Sequence, residues 1–264
     1  MQFHRLLKFA PIGVCLFTGC SFQSAAPRVE TAITPLPTVA VSNAVLAAPV
    51  VFKGEPEPLY PEVEVPNVPE VNHWVREYNN ERKSCLRSAL ERRQAYAATF
   101  QPVFERHGLP PELVHVAMVE SAYQPLARSR SGAVGMWQFI AGTARSYGLK
   151  IGTSVDERKD VAKATDAAAR HLVDLYRTYR DWALVLAAYN SGSGTVNRAI
   201  ARSGSRNFFE LARRGMFPKE TVNYVSRFMA LALIHRDIHP YRLSDEPTAL
   251  QLARAENAAL KIPR

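Results

Sequence analysis

Glu120 closes an almost wholly apolar run, Leu113 to Val119. Burial disfavours charge on a carboxylate, so an acid in such surroundings keeps its proton near neutral pH and can donate it. In a helix opened by Pro111, the residues Leu113, Val116, Ala117 and Glu120 fall at i, i+3, i+4 and i+7 and share one face. That face is apolar until Glu120, which leaves two readings. Glu120 is either a core carboxylate paired with a buried arginine or an acid that emerges into a cleft.

Four further groups bear on the choice. Gly132-Ala133-Val134-Gly135 is a turn whose glycines let backbone approach a ligand closely. Gln138 follows one helical turn later, an amide with a donor and an acceptor suited to a sugar hydroxyl or acetamido group. Ala188-Tyr189-Asn190 ends a short apolar segment, where Tyr and Asn also serve as plain helix caps. Glu220-Thr221-Val222-Asn223-Tyr224-Val225 follows Pro218, and a carboxylate in a first helical turn is stabilised by the dipole without any function.

The elements that must hold these residues are all helical. Val71 to Arg106 reads as one or two amphipathic helices with Pro102 as a candidate interruption. Gly108 stops that run, and Pro110-Pro111 starts the next. Met136 to Tyr147 reads as a helix ended by Gly148. Asp160 to Arg180 is long and alanine-rich, and Trp182 to Tyr189 is apolar on every side and so buried. Ser191 to Gly194 reads as a loop, followed by helices over Thr195 to Arg202, Phe208 to Arg213 and Pro218 to Ile238. No segment alternates with period 2 and no repeat recurs, so the fold class is all-α, a single domain over 71–245 with a tail at 246–264.

Taken together, the order Glu-Ser, Gly-Ala-x-Gly-x-x-Gln, Ala-Tyr-Asn and Glu-Thr-x-x-Tyr-Val resembles the soluble lytic transglycosylase domain, a family of peptidoglycan-cleaving enzymes. The likeness is strongest to the branch of membrane-bound lytic murein transglycosylase D. Leu109 to Leu113, Thr143-Ala144, Tyr147-Gly148-Leu149, Asp156-Glu157-Arg158 and Asp181-Trp182 support it, over about Trp74 to Arg236. The resemblance implies a goose-lysozyme-like helical fold with Glu120 as general acid and base. It implies that Ser129 contacts the bound sugar and the surroundings of the glutamate. Gln138 and Tyr189 would bind substrate and position Glu120, and Asn190, Glu220 and Tyr224 would be further substrate-binding positions. Ala141 stands where many members have proline, and Trp137 where methionine is common. No wall-binding repeats follow the domain, unlike many relatives of that branch.

Glycoside hydrolysis ordinarily uses two carboxylates flanking the scissile bond. Asp156, Asp160 and Asp174 lie in polar stretches that read as solvated, and none has a motif of its own. A lone acid suits a substrate-assisted route. Glu120 would protonate the leaving oxygen, the acetamido group of N-acetylmuramic acid would stabilise the sugar cation, and Glu120 as base would activate that sugar's 6-hydroxyl to close a 1,6-anhydro ring. A lysozyme-like hydrolase and an inactive wall-binding lipoprotein are the competing readings. No cofactor is called for, and no His/Cys cluster has metal-ligand spacing.

Composition bounds the setting. The chain has 264 residues, 47% hydrophobic, and a formal charge of +9. His4, Arg5 and Lys8 precede a short apolar stretch, Phe9 to Phe17, that is too short to span a bilayer. Leu16-Phe17-Thr18-Gly19-Cys20 resembles a bacterial lipobox, with residues 1–19 as signal and Cys20 as the lipidated residue; an ordinary signal peptide that contains a cysteine is the alternative. Ser21 after it favours, by the same resemblance, the periplasmic face of the outer membrane. Losing Arg5 and Lys8 takes the charge from +9 to +7, which suits an anionic polymer or membrane surface. Nucleic acid would fit the charge, but no motif supports it and an exported protein rarely meets it. With three cysteines no disulfide framework forms, and Cys85 reads as a free thiol. Residues 20–70 carry nine prolines from 21 onward and no sustained period, an extended tether reaching about 40 Å. The expected partners are glycan strands and, through the anchor, a membrane; a monomer is expected.

Overall fold

The computed structural model describes residues 59–238. The signal, Cys20, most of the tether and the tail at 246–264 lie outside the described residues. Among the described residues ten α-helices follow one another: α1 Pro69–Asn79, α2 Lys83–Gln94, α3 Ala97–Arg106, α4 His115–Ser121, α5 Ala141–Ser146, α6 Val161–Tyr179, α7 Trp182–Ser191, α8 Ser193–Ser203, α9 Phe208–Arg213 and α10 Lys219–Ile238. No strand forms among the described residues; three isolated bridges, such as Val134 with Phe139, shape the loops between α4 and α6. The all-α class is therefore as expected.

At the centre lies α7. Its Leu184, Val185, Leu186 and Ala187 are fully buried, each large side chain contributing roughly 1.5–3 kcal/mol by leaving water. Around it pack α6, α8 and α10. The 20-residue α10 also reaches α1 and α4, and α6 reaches α3. Of the long helices, α10 thus braces the short one that carries Glu120.

Several local expectations are corrected. The segment from Val71 to Arg106 holds parts of three helices, broken at Asn80–Arg82 and at Ala95–Tyr96. Pro102 sits inside α3 without stopping it, because the buried Phe100, Val103 and Phe104 hold that helix against α6. Met136 to Phe139 is a tight turn, and only Ala141 to Ser146 is helical there. The loop expected at Ser191 to Gly194 shrinks to Gly192, whose φ of +81° lets α7 give way at once to α8.

Residues 59–68, which the sequence assigned to the linker, run along the domain. Val63 is fully buried. Trp182 Nε1 donates to the Pro61 carbonyl at 2.8 Å, and Arg236 donates to the Val63 carbonyl at 2.6 Å.

Candidate active site

The helix carrying Glu120 is short by construction. Pro111–Val114 makes a 3-10 turn, α4 continues for seven residues, and the chain then turns left-handed at Ala122 (φ +52°) and Tyr123 (φ +60°). Two successive non-glycine residues in that region cost about 1–3 kcal/mol each and need outside support. Arg92 Nε donates to the Ala122 carbonyl at 2.8 Å, and the buried Tyr123 hydroxyl shares a hydrogen bond with His115 Nδ1 at 2.9 Å. The reversal places Glu120 in the last turn of α4.

Ser121, which the sequence placed in the Glu-Ser pair without a role of its own, fastens that turn to the glycine loop. Its buried Oγ donates to the Met136 carbonyl at 2.8 Å and accepts from the Gln124 N–H at 3.0 Å. The loop is clamped from the other side by Arg158, whose guanidinium donates to the Gly132 and Phe139 carbonyls, both at 3.1 Å. Asp156 holds Arg158 with two contacts of 2.9 Å. Asp156 is therefore a mostly buried structural partner, not a solvated carboxylate. Asp160 caps α6, accepting from Lys163 N–H. Gly135 has φ +89°, and a Cβ there would stand 1.8 Å from the Arg158 carbonyl oxygen, so only glycine fits.

Burial is the largest influence on Glu120 and pushes its carboxyl up to about 8. The Tyr224 hydroxyl donates to Glu120 Oε1 at 2.9 Å and, with the nearby Arg227 charge, pulls partly the other way; Glu220 adds a smaller upward push. Glu120 is thus not a carboxylate neutralised by a salt bridge, for no ion pair to it forms among the described residues. It is an acid that holds its proton at neutral pH. Arg227 is itself held on the Trp74 ring, 5.4 Å from its centroid, and donates to the Tyr78 hydroxyl at 3.2 Å.

Beside this acid lies a cleft of about 470 Å³. Gln138, Tyr189, Asn190 and Glu220 all line it, as expected of them. Tyr189 and Glu220 belong to both features, since they wall the cleft and interact electrostatically with Glu120. The Tyr189 hydroxyl donates to the Trp137 carbonyl at 2.9 Å. Trp137 is fully buried, and its Nε1 donates to Thr165 Oγ1 at 3.0 Å.

Gln138 does less than a free amide would. Its side-chain nitrogen donates to the Gly135 and Ala127 carbonyls at 2.7 and 3.3 Å. Both partners are acceptors, which fixes the amide orientation and leaves Oε1 for a ligand's O–H or N–H. Ser129 stands apart: its Oγ accepts from the Ala133 N–H at 2.9 Å and pairs with Ser131 Oγ, and it bonds neither to Glu120 nor lines that cleft. His171, which the sequence reading passed over, lines the cleft as a half-buried imidazole that burial pushes down to about 4. Among the described residues, no three His, Cys, Asp or Glu gather where they could hold a metal ion.

Residues 101–212 match the family model of the transglycosylase SLT domain. Membrane-bound lytic murein transglycosylase D of Escherichia coli is 36% identical over 195 residues, covering 69% of this chain and 42% of that protein. Peptidoglycan transglycosylase gp16 of Escherichia phage T7 is 30% identical over 140 residues, 52% of this chain and 10% of the phage protein. A solved structure of the lytic transglycosylase Slt of Pseudomonas aeruginosa matches 58% of this chain and 25% of that chain, with 23% identity and a TM-score of 0.48. The chain thus spans less than half the length of these curated relatives.

Proposed function

We propose that this protein is a peptidoglycan lytic transglycosylase that cleaves the β-1,4 bond between N-acetylmuramic acid and N-acetylglucosamine and leaves 1,6-anhydromuramic acid ends. The observation that carries the reading is the placement of Glu120, whose carboxyl burial pushes up to about 8 and whose Oε1 accepts from the Tyr224 hydroxyl. Glu120 first gives its proton to the leaving oxygen. The resulting carboxylate, steadied by Tyr224 and Arg227, then takes the proton of the 6-hydroxyl as the anhydro ring closes. One residue can do both because its pKa lies close to the working pH. The names of the relatives, a lytic murein transglycosylase and a peptidoglycan transglycosylase, support the substrate class.

Glu220 gives the hydrolytic alternative its one structural argument, as a second carboxylate near Glu120. It sits in the first turn of α10 and serves the primary reading equally well as a cleft residue. Digestion of purified sacculi followed by mass spectrometry decides between them. Anhydro ends are lighter by one water than hydrolysed ends, and Glu120→Gln abolishes their release while the variant stays folded. Fully hydrated products would refute the transglycosylase reading, and undiminished release by folded Glu120→Gln would refute the mechanism. An inactive wall-binding role predicts no release at all. In the cell the protein belongs to the envelope, anchored by lipid on Cys20 to the periplasmic face of the outer membrane and acting as a monomer on glycan strands. Labelling with a radioactive or clickable fatty acid, lost in Cys20→Ser, tests the anchor.

A further inference from the structure

The cleft has one wall that the proposed chemistry does not use. His171, on α6, meets three aromatic rings nearly edge to face: Tyr147 at 4.9 Å, Tyr189 at 5.1 Å and Phe139 at 6.2 Å between centroids. Its Nδ1 is buried and has no hydrogen-bond partner. The imidazole is neutral through the ordinary pH range, because burial keeps its pKa near 4. A neutral imidazole carries one proton, and orphaned buried N–H groups are rarer in proteins than unsatisfied acceptors. The proton is therefore assigned to Nε2, which unlike Nδ1 is not sealed from its surroundings, on a side chain that lines the cleft.

The surroundings specify what Nε2–H would meet. It is a single uncharged donor set among apolar rings, so it fits a carbonyl oxygen that carries an apolar substituent. The imidazole feels the Asp174 carboxylate from the same helix, which disfavours a carboxylate or phosphate here. An acetamido group answers both demands, with its oxygen on Nε2–H and its methyl against the rings.

We propose that His171 is a specificity-determining residue that recognises an acetamido group of the glycan through Nε2–H, beside the Phe139 and Tyr189 rings that line the cleft with it. This rests on the reading that N-acetylated glycan occupies the cleft. It assigns His171 no part in the proton transfers.

Equilibrium binding to two neutral trisaccharides tests it. Tri-N-acetylchitotriose and cellotriose share the β-1,4 backbone and differ by acetamido against hydroxyl at each C2. The wild-type protein prefers the acetylated trimer. His171→Phe keeps an aromatic ring but removes the donor, and narrows that preference by about tenfold, the worth of one hydrogen bond to a buried partner. His171→Gln, which restores an N–H donor, recovers part of it. An unchanged preference in His171→Phe, an equal loss of affinity for both trimers, or a wild type without preference would each overturn the assignment. The transglycosylase reading fails separately, by the absence of anhydro ends from sacculi digested with the wild-type protein.

Discussion

Keeping Glu120 protonated is a cost carried by the native state, and Glu120→Gln should expose it as added stability. In the unfolded chain the carboxyl titrates near its ordinary 4.5, and in the folded protein at about 8. Below 4.5 both states are protonated and the residue is neutral in the balance. As pH rises from 4.5 to 8 the unfolded state ionises while the folded state cannot, so the wild type loses stability progressively, and the loss levels off above 8. Each unit of difference is worth about 1.4 kcal/mol. The relative stability of the Gln variant over wild type should therefore grow by roughly 3 kcal/mol between pH 5 and pH 8. In a domain of this size that is about 6–12 °C in Tm. The amide can still accept from the Tyr224 hydroxyl, which bonds to Oε1 at 2.9 Å, and any fixed cost of burying it is independent of pH. Paired thermal melts of the two proteins in buffers from pH 5 to 8 read the difference directly. A gap that stays constant across that range, or that shrinks as pH rises, would refute the claim that burial holds the proton.

Three further outcomes follow from the same geometry. Tyr224→Phe removes a hydrogen bond that favours the charged carboxylate, so the alkaline limb of the pH–rate profile moves upward by about one unit; a downward move would contradict the assignment. Charge removal nearby should separate by sign: Arg227→Gln raises that limb and Glu220→Gln lowers it, both read from the same profiles. Gly135→Ala should cost roughly 3 kcal/mol or more in denaturant unfolding and abolish product release, whereas Gly132→Ala, with equally positive φ but open space around it, should cost about 1 kcal/mol.

The sequence carried the helical class and the acid because both are written in local pattern. The apolar face ending in Glu120 is a run of spaced residues, and α6 and α9 lie within a residue or two of their expected bounds. What stayed illegible depends on partners distant in the chain. Met136 to Phe139 has helix-forming residues, yet Arg158, some twenty positions on, captures the Phe139 carbonyl and helps hold the turn in which Gln138 sits at φ +50°. The triplet Asp156-Glu157-Arg158 was visible as part of the resemblance, but its job of clamping the glycine loop was not. Ser121 could have been suspected from its place beside Glu120, since a hydroxyl there must bond somewhere once buried. His171 gave no signal, because a histidine on a long amphipathic helix looks the same whether it meets solvent or three aromatic rings. Ser129 was expected beside the glutamate and instead spends its hydroxyl inside its own loop.

The path by which the chain enters the domain has a mechanical meaning. Before α1 begins, the backbone at Pro61 and Val63 is gripped by Trp182 at the start of α7 and by Arg236 near the end of α10. Tension arriving at residue 59 is therefore borne first by these two helices and only afterwards by α1. They are also the helices that present Tyr189 and Tyr224 to the acid. A pull on the leading end therefore loads α7 and α10, the frame of the site, before it reaches α1.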